Sequence, residues 1–153
     1  MSEAQELYAQ LKPVMEAIAE PLFEFSLRCL KERGAFLPHA VSMLSDGEII
    51  LHGATTGSAD GTSTPAEILP ILHSGLRRSA READIVAIGV AEGVTVTRDG
   101  YSPTKAVKVQ FEHKLGLAVA LYKPYSKKKP KHYEYGEMFS VLAAREINAW
   151  LQA

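Results

Sequence analysis

Tyr8, Leu11, Met15, Ile18, Leu22, Phe25 and Cys29 recur at alternating steps of three and four, which places seven side chains on one stripe of a helix. Ser2 with Gln5 resembles a capping box, and Gly34 after a basic turn suits a left-handed stop. Pro13 and Pro21 lie inside the pattern. Each proline costs about 3 kcal/mol within a straight helix, so a kink or a break into two helices is expected near one of them. The stripe is a packing face or the seam of a dimer.

The next apolar runs flank Asp46-Gly47, a dipeptide suited to the positive backbone angles of a two-residue hairpin turn. That register sets Leu44 against Ile49, Met43 against Ile50 and Val41 against His52. Both faces are then apolar, and at least one strand belongs inside a sheet. Residues 53–64 are small, polar and glycine-rich, and they end at a strong helix start: Thr64 as cap, Pro65 first, Glu67 three after the cap. Ile68, Leu72, Leu76 and Ala80 face inward on a helix running to about Ala83, with Pro70 and Gly75 as weak points.

Residues 84–97 are rich in β-branched side chains and predict a long strand, bulged at Gly93. Residues 105–113 alternate, with Val107, Val109 and Phe111 inward and Lys108, Gln110 and Glu112 toward water. A turn around Lys114-Leu115-Gly116 returns the chain into residues 117–125. After the lysine-rich stretch PYSKKKPKHYEYGEM (124–138), a last helix is expected with Phe139, Ala143, Ile147 and Trp150 inward. The fold class is therefore α+β: a single domain over 1–153 with about five antiparallel strands and three helices in the order αββαβββα. Roadblock- and profilin-type domains share that order, a likeness of element order only.

The segments ADIVAIGV (83–90), AVKVQFEHKLGLAVALYKPY (106–125) and EYGEMF (134–139) also resemble an uncharacterised family of small bacterial α+β domains. Their shared marks are a hydrophobic hairpin, a proline-aromatic exit and a Tyr-Gly-Glu entry to the last helix. The resemblance implies no reaction and transfers no catalytic residue.

Composition fits an ordinary globular chain, with 46% hydrophobic and 23% charged residues. The N-terminal residues have neither a basic start nor an apolar core, so a cytoplasmic location is expected. Cys29 is alone in the sequence, which excludes an internal disulfide, and its place on the helical stripe predicts burial. Net charge is −1, yet residues 105–132 carry eight lysines against Glu112 alone, a local balance of +7 that leaves −8 on the rest. One basic region set against acidic helices follows.

Chemistry-bearing motifs are sparse. Residues 57–61 lack Gly-x-Ser-x-Gly, and the loop lacks the Lys-Ser/Thr of a phosphate-binding P-loop. Its polar side chains still make His52, Thr55, Thr56, Ser58 and Thr64 candidates for a ligand site between the sheet and loop 53–64. The histidines have no close metal-ligand spacing, with only His39 and His52 able to approach across the first hairpin; no metal and no cofactor are expected. Glu112 and His113 point to opposite strand faces and cannot share one acid–base site. Lys123, Lys127, Lys128, Lys129, Lys131 and Tyr133 are candidates for contact with a polyanion or partner. No arginine lies among them, so they act as point charges without bidentate recognition. The stretch is expected to be an exposed connection that attracts polyanions weakly, with no specific nucleic acid and no membrane as partner.

Two functional classes follow. One is a non-enzymatic binding or assembly domain, most simply a homodimer, whose lysines meet an acidic protein. The other is a small-ligand-binding protein or enzyme with its pocket beside loop 53–64.

Overall fold

The computed structural model describes residues 2–53, 64–97, 100 and 102–150. Helix α1 (Glu3–Arg33) is followed by strands β1 (His39–Leu44) and β2 (Ile49–His52), helix α2 (Pro65–Glu82), and strands β3 (Ile85–Val96), β4 (Thr104–His113), β5 (Ala118–Lys129), β6 (His132–Tyr135) and β7 (Phe139–Leu142). The class is α+β, as expected, but with seven strands and two helices among the described residues instead of five and three. The order of the sheet is β2-β1-β3-β4-β5-β6, with β7 also on β5, and all of these pairings are antiparallel. Omission of the last helix removes the roadblock- or profilin-like order.

Both predicted capping boxes form. Ser2 accepts from Gln5 N and Thr64 from Glu67 N, while each partner side chain returns to the cap backbone. Gly34 ends α1 in the left-handed conformation at φ 77°, its N–H donating to Leu30 O. The helix continues through Pro13 and Pro21 without the expected break. Packing explains how: Leu11, Met15, Ile18, Ala19 and Leu22 are buried against Val41, Val109, Phe111, Val119 and Leu121 of the sheet. Burying each such side chain contributes roughly 1.5–3 kcal/mol, which together outweighs two internal prolines. Leu11, Met15, Ile18, Leu22 and Cys29 of the stripe are therefore core, while Tyr8 is half-buried and Phe25 is exposed.

The first hairpin differs from expectation by one residue. Leu44 N donates to Glu48 O and Gly47, at φ 93°, donates to Leu44 O, so the loop has three residues, with glycine in the bulge position. Met43 consequently pairs with Ile49, Val41 with Leu51 and Ala40 with His52. Strand β3 runs in unbroken register with β4 from Ala87 to Val96, without a bulge at Gly93.

The largest corrections concern the C-terminal third. The lysine-rich stretch is no loop: β5 extends to Lys129 and turns through Pro130 and Lys131, which has φ 62°, into β6. The expected last helix is replaced by β7 and an irregular segment, residues 143–150. Ile147 is buried and the half-buried Trp150 packs against its core cluster, while Phe139 is half-buried and stacks on Tyr122, all without a helix. Lys108, Gln110 and Glu112 do not face water. They are 8%, 2% and 1% exposed, beneath the C-terminal segment.

Two apolar clusters thus flank the sheet. One joins α1 to one face; the other gathers Ile68, Leu72 and Leu76 of α2 with Ile88, Val90 and Ile147 on the opposite face. Gly89 lies where α1 crosses β3, and a β-carbon there would overlap the side chains of Ile18 and Leu22. Replacing Gly89 by alanine forces the helix outward. The expected loss is about 1–3 kcal/mol of unfolding free energy, as for other overpacked cores, measured by urea denaturation; an unchanged midpoint would show that α1 does not rest on this position.

Candidate functional site

Glu112 is the best-satisfied polar group in the buried region. Its carboxylate accepts from Ile147 N at 2.9 Å, Asn148 N at 2.8 Å and Gln110 Nε2 at 3.0 Å. Gln110 Nε2 also donates to Ala144 O at 2.8 Å, and Arg77 Nε donates to Ile147 O at 2.8 Å. Beside them Lys108 Nζ lies 2.6 Å from Glu146 Oε1. These bonds hold an irregular segment against the sheet, where its amides would otherwise lose water without replacement. Gln110 Oε1 is buried without a hydrogen-bond partner among the described residues.

Glu92 sits opposite Lys108 in the β3–β4 ladder. Burial raises its pKa; Lys108 acts in the other direction, and Glu146 adds to the rise. His73 on α2 is pushed down chiefly by burial and by Arg77, against the nearby Glu146 and Glu112 carboxylates. Charged groups of both signs converge here, yet their hydrogen bonds join protein to protein. The cluster acts as a clasp for the C-terminal segment.

The candidates for a ligand site separate. Thr55, Thr56 and Ser58 lie outside the described residues, as does most of loop 53–64. Thr64 is engaged as the cap of α2, its hydroxyl donating to Glu67 Oε1 at 2.8 Å. His52 Nε2 lies 2.7 Å from Ser42 Oγ, and burial lowers its pKa. His39 pairs with Ala91 and His52 with Ala40, positions on opposite faces of the sheet, so these histidines cannot share a metal. Among the described residues no three histidine, cysteine, aspartate or glutamate side chains gather in a metal-binding group. Cys29 is buried, as expected.

A pocket of about 520 Å³ does border residues 53 and 65, but the end of α1 and the following connector form its wall. Phe25, Cys29, Phe36, Leu37 and His39 make it mostly apolar, with Arg33 also on its wall. The His39 ring meets Phe25 edge-on at 4.6 Å, with Nδ1 2.9 Å from Leu37 O and Nε2 3.2 Å from Ser26 Oγ.

The lysine candidates are sorted by the β5–β6 hairpin. Lys127 pairs with Tyr133 and Tyr125 with Tyr135, so these four share a face with Lys123, whose Nζ lies 5.9 Å from the centre of the Tyr135 ring. The register shift leaves Lys128 unpaired in the ladder, 3.7 Å from Glu134 Oε2. Lys129 pairs with His132, and Lys131 occupies the turn. Tyr125 and Lys105, the latter not among the sequence candidates, join Lys127 and Tyr133 around one groove. Extending the period-two alternation of β4 by one step past Val107 would have placed Lys105 on that face.

The opposite edge of the sheet is apolar. Ile49, Ile50 and Leu51 of β2 are 36%, 37% and 69% exposed.

No family model, curated protein or solved structure matches this chain.

Two predictions follow from the buried groups. Replacing Glu112 by glutamine puts an amide donor among amide donors, and the loss should be about 1–3 kcal/mol, with earlier proteolytic release of the C-terminal segment; unchanged proteolysis would refute the clasp. Stability should also fall on acidification. His39, with its pKa lowered mainly by burial despite the Leu37 and Leu22 carbonyls, binds fewer protons folded than unfolded. Its contribution is therefore complete above the unfolded value of about 6.5 and declines as pH drops toward the lower folded value. Denaturation at a series of pH values should show this slope, reduced in His39→Asn.

Proposed function

We propose that the protein is a non-enzymatic binding and assembly domain that pairs with a second copy of itself through β2. The observation that carries this reading is the run of exposed apolar residues on an edge strand. Edge strands are ordinarily guarded by lysine, proline or a bulge, and within β2 only its shortness guards this one. Exposed consecutive apolar residues mark a contact surface.

The geometry favours a second copy as occupant. Leu44 N bonds Glu48 O, so by antiparallel alternation Glu48, Ile50 and His52 direct their backbone groups to β1, while Ile49 and Leu51 direct theirs outward. A two-fold axis through Ile50 perpendicular to the sheet sets Ile49 of each copy against Leu51 of the other as hydrogen-bonded pairs. Ile50 meets Ile50. At both ends Glu48 falls opposite His52, so an acid and an imidazole meet where like charges would oppose pairing. The lysines of the β5–β6 hairpin, far along the sheet order from β2, supply a second surface for an acidic partner.

The pocket beside residues 53 and 65 supports a second reading. Its volume of about 520 Å³ and its apolar wall with one arginine suit a small ligand with an acidic end. A thermal-shift screen with such compounds tests it, because a ligand bound only by the folded state raises apparent stability.

Light scattering coupled to size exclusion tests assembly. The native chain should elute at twice the chain mass of 16.7 kDa, and Leu51→Lys, on an exposed side chain, should give a folded monomer. A monomeric native chain at high concentration would overturn the proposal.

A further inference from the structure

Lys105 of β4, Tyr125 and Lys127 of β5 and Tyr133 of β6 stand on the α1 side of the sheet and, with Thr104 and Ser126, enclose a groove of about 380 Å³. That volume lies within the range of small-molecule sites. The end of α1 closes it, since a β-carbon at Gly34 would be 3.9 Å from the Tyr133 hydroxyl. Among the described wall residues both charged ones, Lys105 and Lys127, are lysines and none is acidic. Glu134, the acid of the hairpin, lies 3.7 Å from Lys128, whose side chain is not part of the groove. Tyr125 and Tyr133 meet edge to face with ring centres 6.0 Å apart.

We propose that this groove binds a nucleoside phosphate, the phosphate between Lys105 and Lys127 and the base against Tyr133. The inference rests on the hairpin being a contact surface for anions and names the anion. Two ammonium groups beside one groove repel each other. A phosphate monoester carries nearly two negative charges at neutral pH and offsets both, where a carboxylate offsets one. Lysines suit it as point charges, since no arginine stands among the described wall residues to grip a planar carboxylate. The paired tyrosines add what a bare anion does not need, an aromatic surface on which a flat ring stacks. Among the described residues no asparagine, glutamine or arginine lines the groove to read a base edge, so binding is tolerant of base identity.

Isothermal titration calorimetry on the full chain, at low and at physiological salt, decides this with five probes: adenosine monophosphate, uridine monophosphate, inorganic phosphate, a single-stranded tetranucleotide and a glutamate-rich peptide. The two mononucleotides should bind alike, and inorganic phosphate about tenfold more weakly because it lacks the stacked ring. Lys105→Ser and Lys127→Ser should each weaken the mononucleotides severalfold. Tyr133→Leu should reduce them to the level of phosphate, while Tyr133→Phe, which keeps the ring and controls for folding, should restore them. Tetranucleotide binding stronger than that of mononucleotide identifies a strand as the source of the ligand, and weaker binding identifies the free nucleotide; either supports the site. Phosphate equal to the mononucleotides overturns the role of the tyrosines and with it the proposal. Binding of the peptide without the nucleotides overturns the proposal but leaves the hairpin as an anionic-partner surface. Failure of all five removes both.

Discussion

The carboxylate of Glu112 bridges two parts of the chain that have no regular secondary structure in common. Helix α2 packs on β1 and β3, which leaves the same face of β4 and β5 to be covered by something else. Residues 143–150 do this without a helix, so their amide groups need acceptors at the sheet surface. Glu112 supplies two of them, to Ile147 and Asn148. From α2, Arg77 binds the Ile147 carbonyl, and the Trp150 indole N–H reaches Ile85 O at 3.2 Å. Three elements thus fix one segment, and Ile147 is buried because of it. A neutral side chain in place of Glu112 would leave donors unpaired in a region where each unpaired donor costs about 1–3 kcal/mol.

The same carboxylate explains what the sequence conceals. The caps of α1 and α2 and the position of the first hairpin are local chemistry, legible from Ser2, Thr64 and Asp46-Gly47. The alternation in β4 is equally visible, but its usual meaning, one dry face and one wet face, fails here. Lys108, Gln110 and Glu112 are polar and buried because their partners, Glu146, Ala144, Ile147 and Asn148, lie more than 30 residues away. No local pattern announces such a pairing. The C-terminal apolar spacing misleads for a related reason: the free edge of β5 offers Phe139–Leu142 a ladder, and tertiary pairing outweighs a modest helical preference. Of the candidate site residues, the lysines were visible as a run, whereas their sorting into a face with tyrosines and a position beside Glu134 depends on the hairpin register.

The basic hairpin also shows why like charge did not prevent pairing. Lys123 and Lys127 alternate with Tyr125 along one face, so aromatic rings separate the ammonium groups, and one lysine lies over a tyrosine. Lys128 finds Glu134, and the register shift at that point turns the strand. A run of three lysines is thereby distributed over different surroundings. Repulsion falls, and Lys127 remains on the side that faces the groove.

Proline removes a ladder donor and so opposes a hairpin, yet the position of Pro124 resolves the conflict. The outer edge of β5 changes partner here, from β7 opposite Val119–Tyr122 to β6 opposite Tyr125–Lys129. Pro124 O accepts from Gly136 N at 2.9 Å, so its carbonyl points to that outer edge. In a strand the N–H and C=O of one residue point to the same side, and the missing donor of Pro124 therefore faces the gap between β6 and β7 instead of β4. No ladder bond to β4 is lost. Gly136 is suited to fill that gap, because a β-carbon there would press on Pro124 at 3.3 Å. The proline-tyrosine and tyrosine-glycine-glutamate segments, ten residues apart in sequence, are in this way two halves of one junction: the proline ends one pairing without cost to the other, and the glycine lets the returning chain come close enough to begin the next.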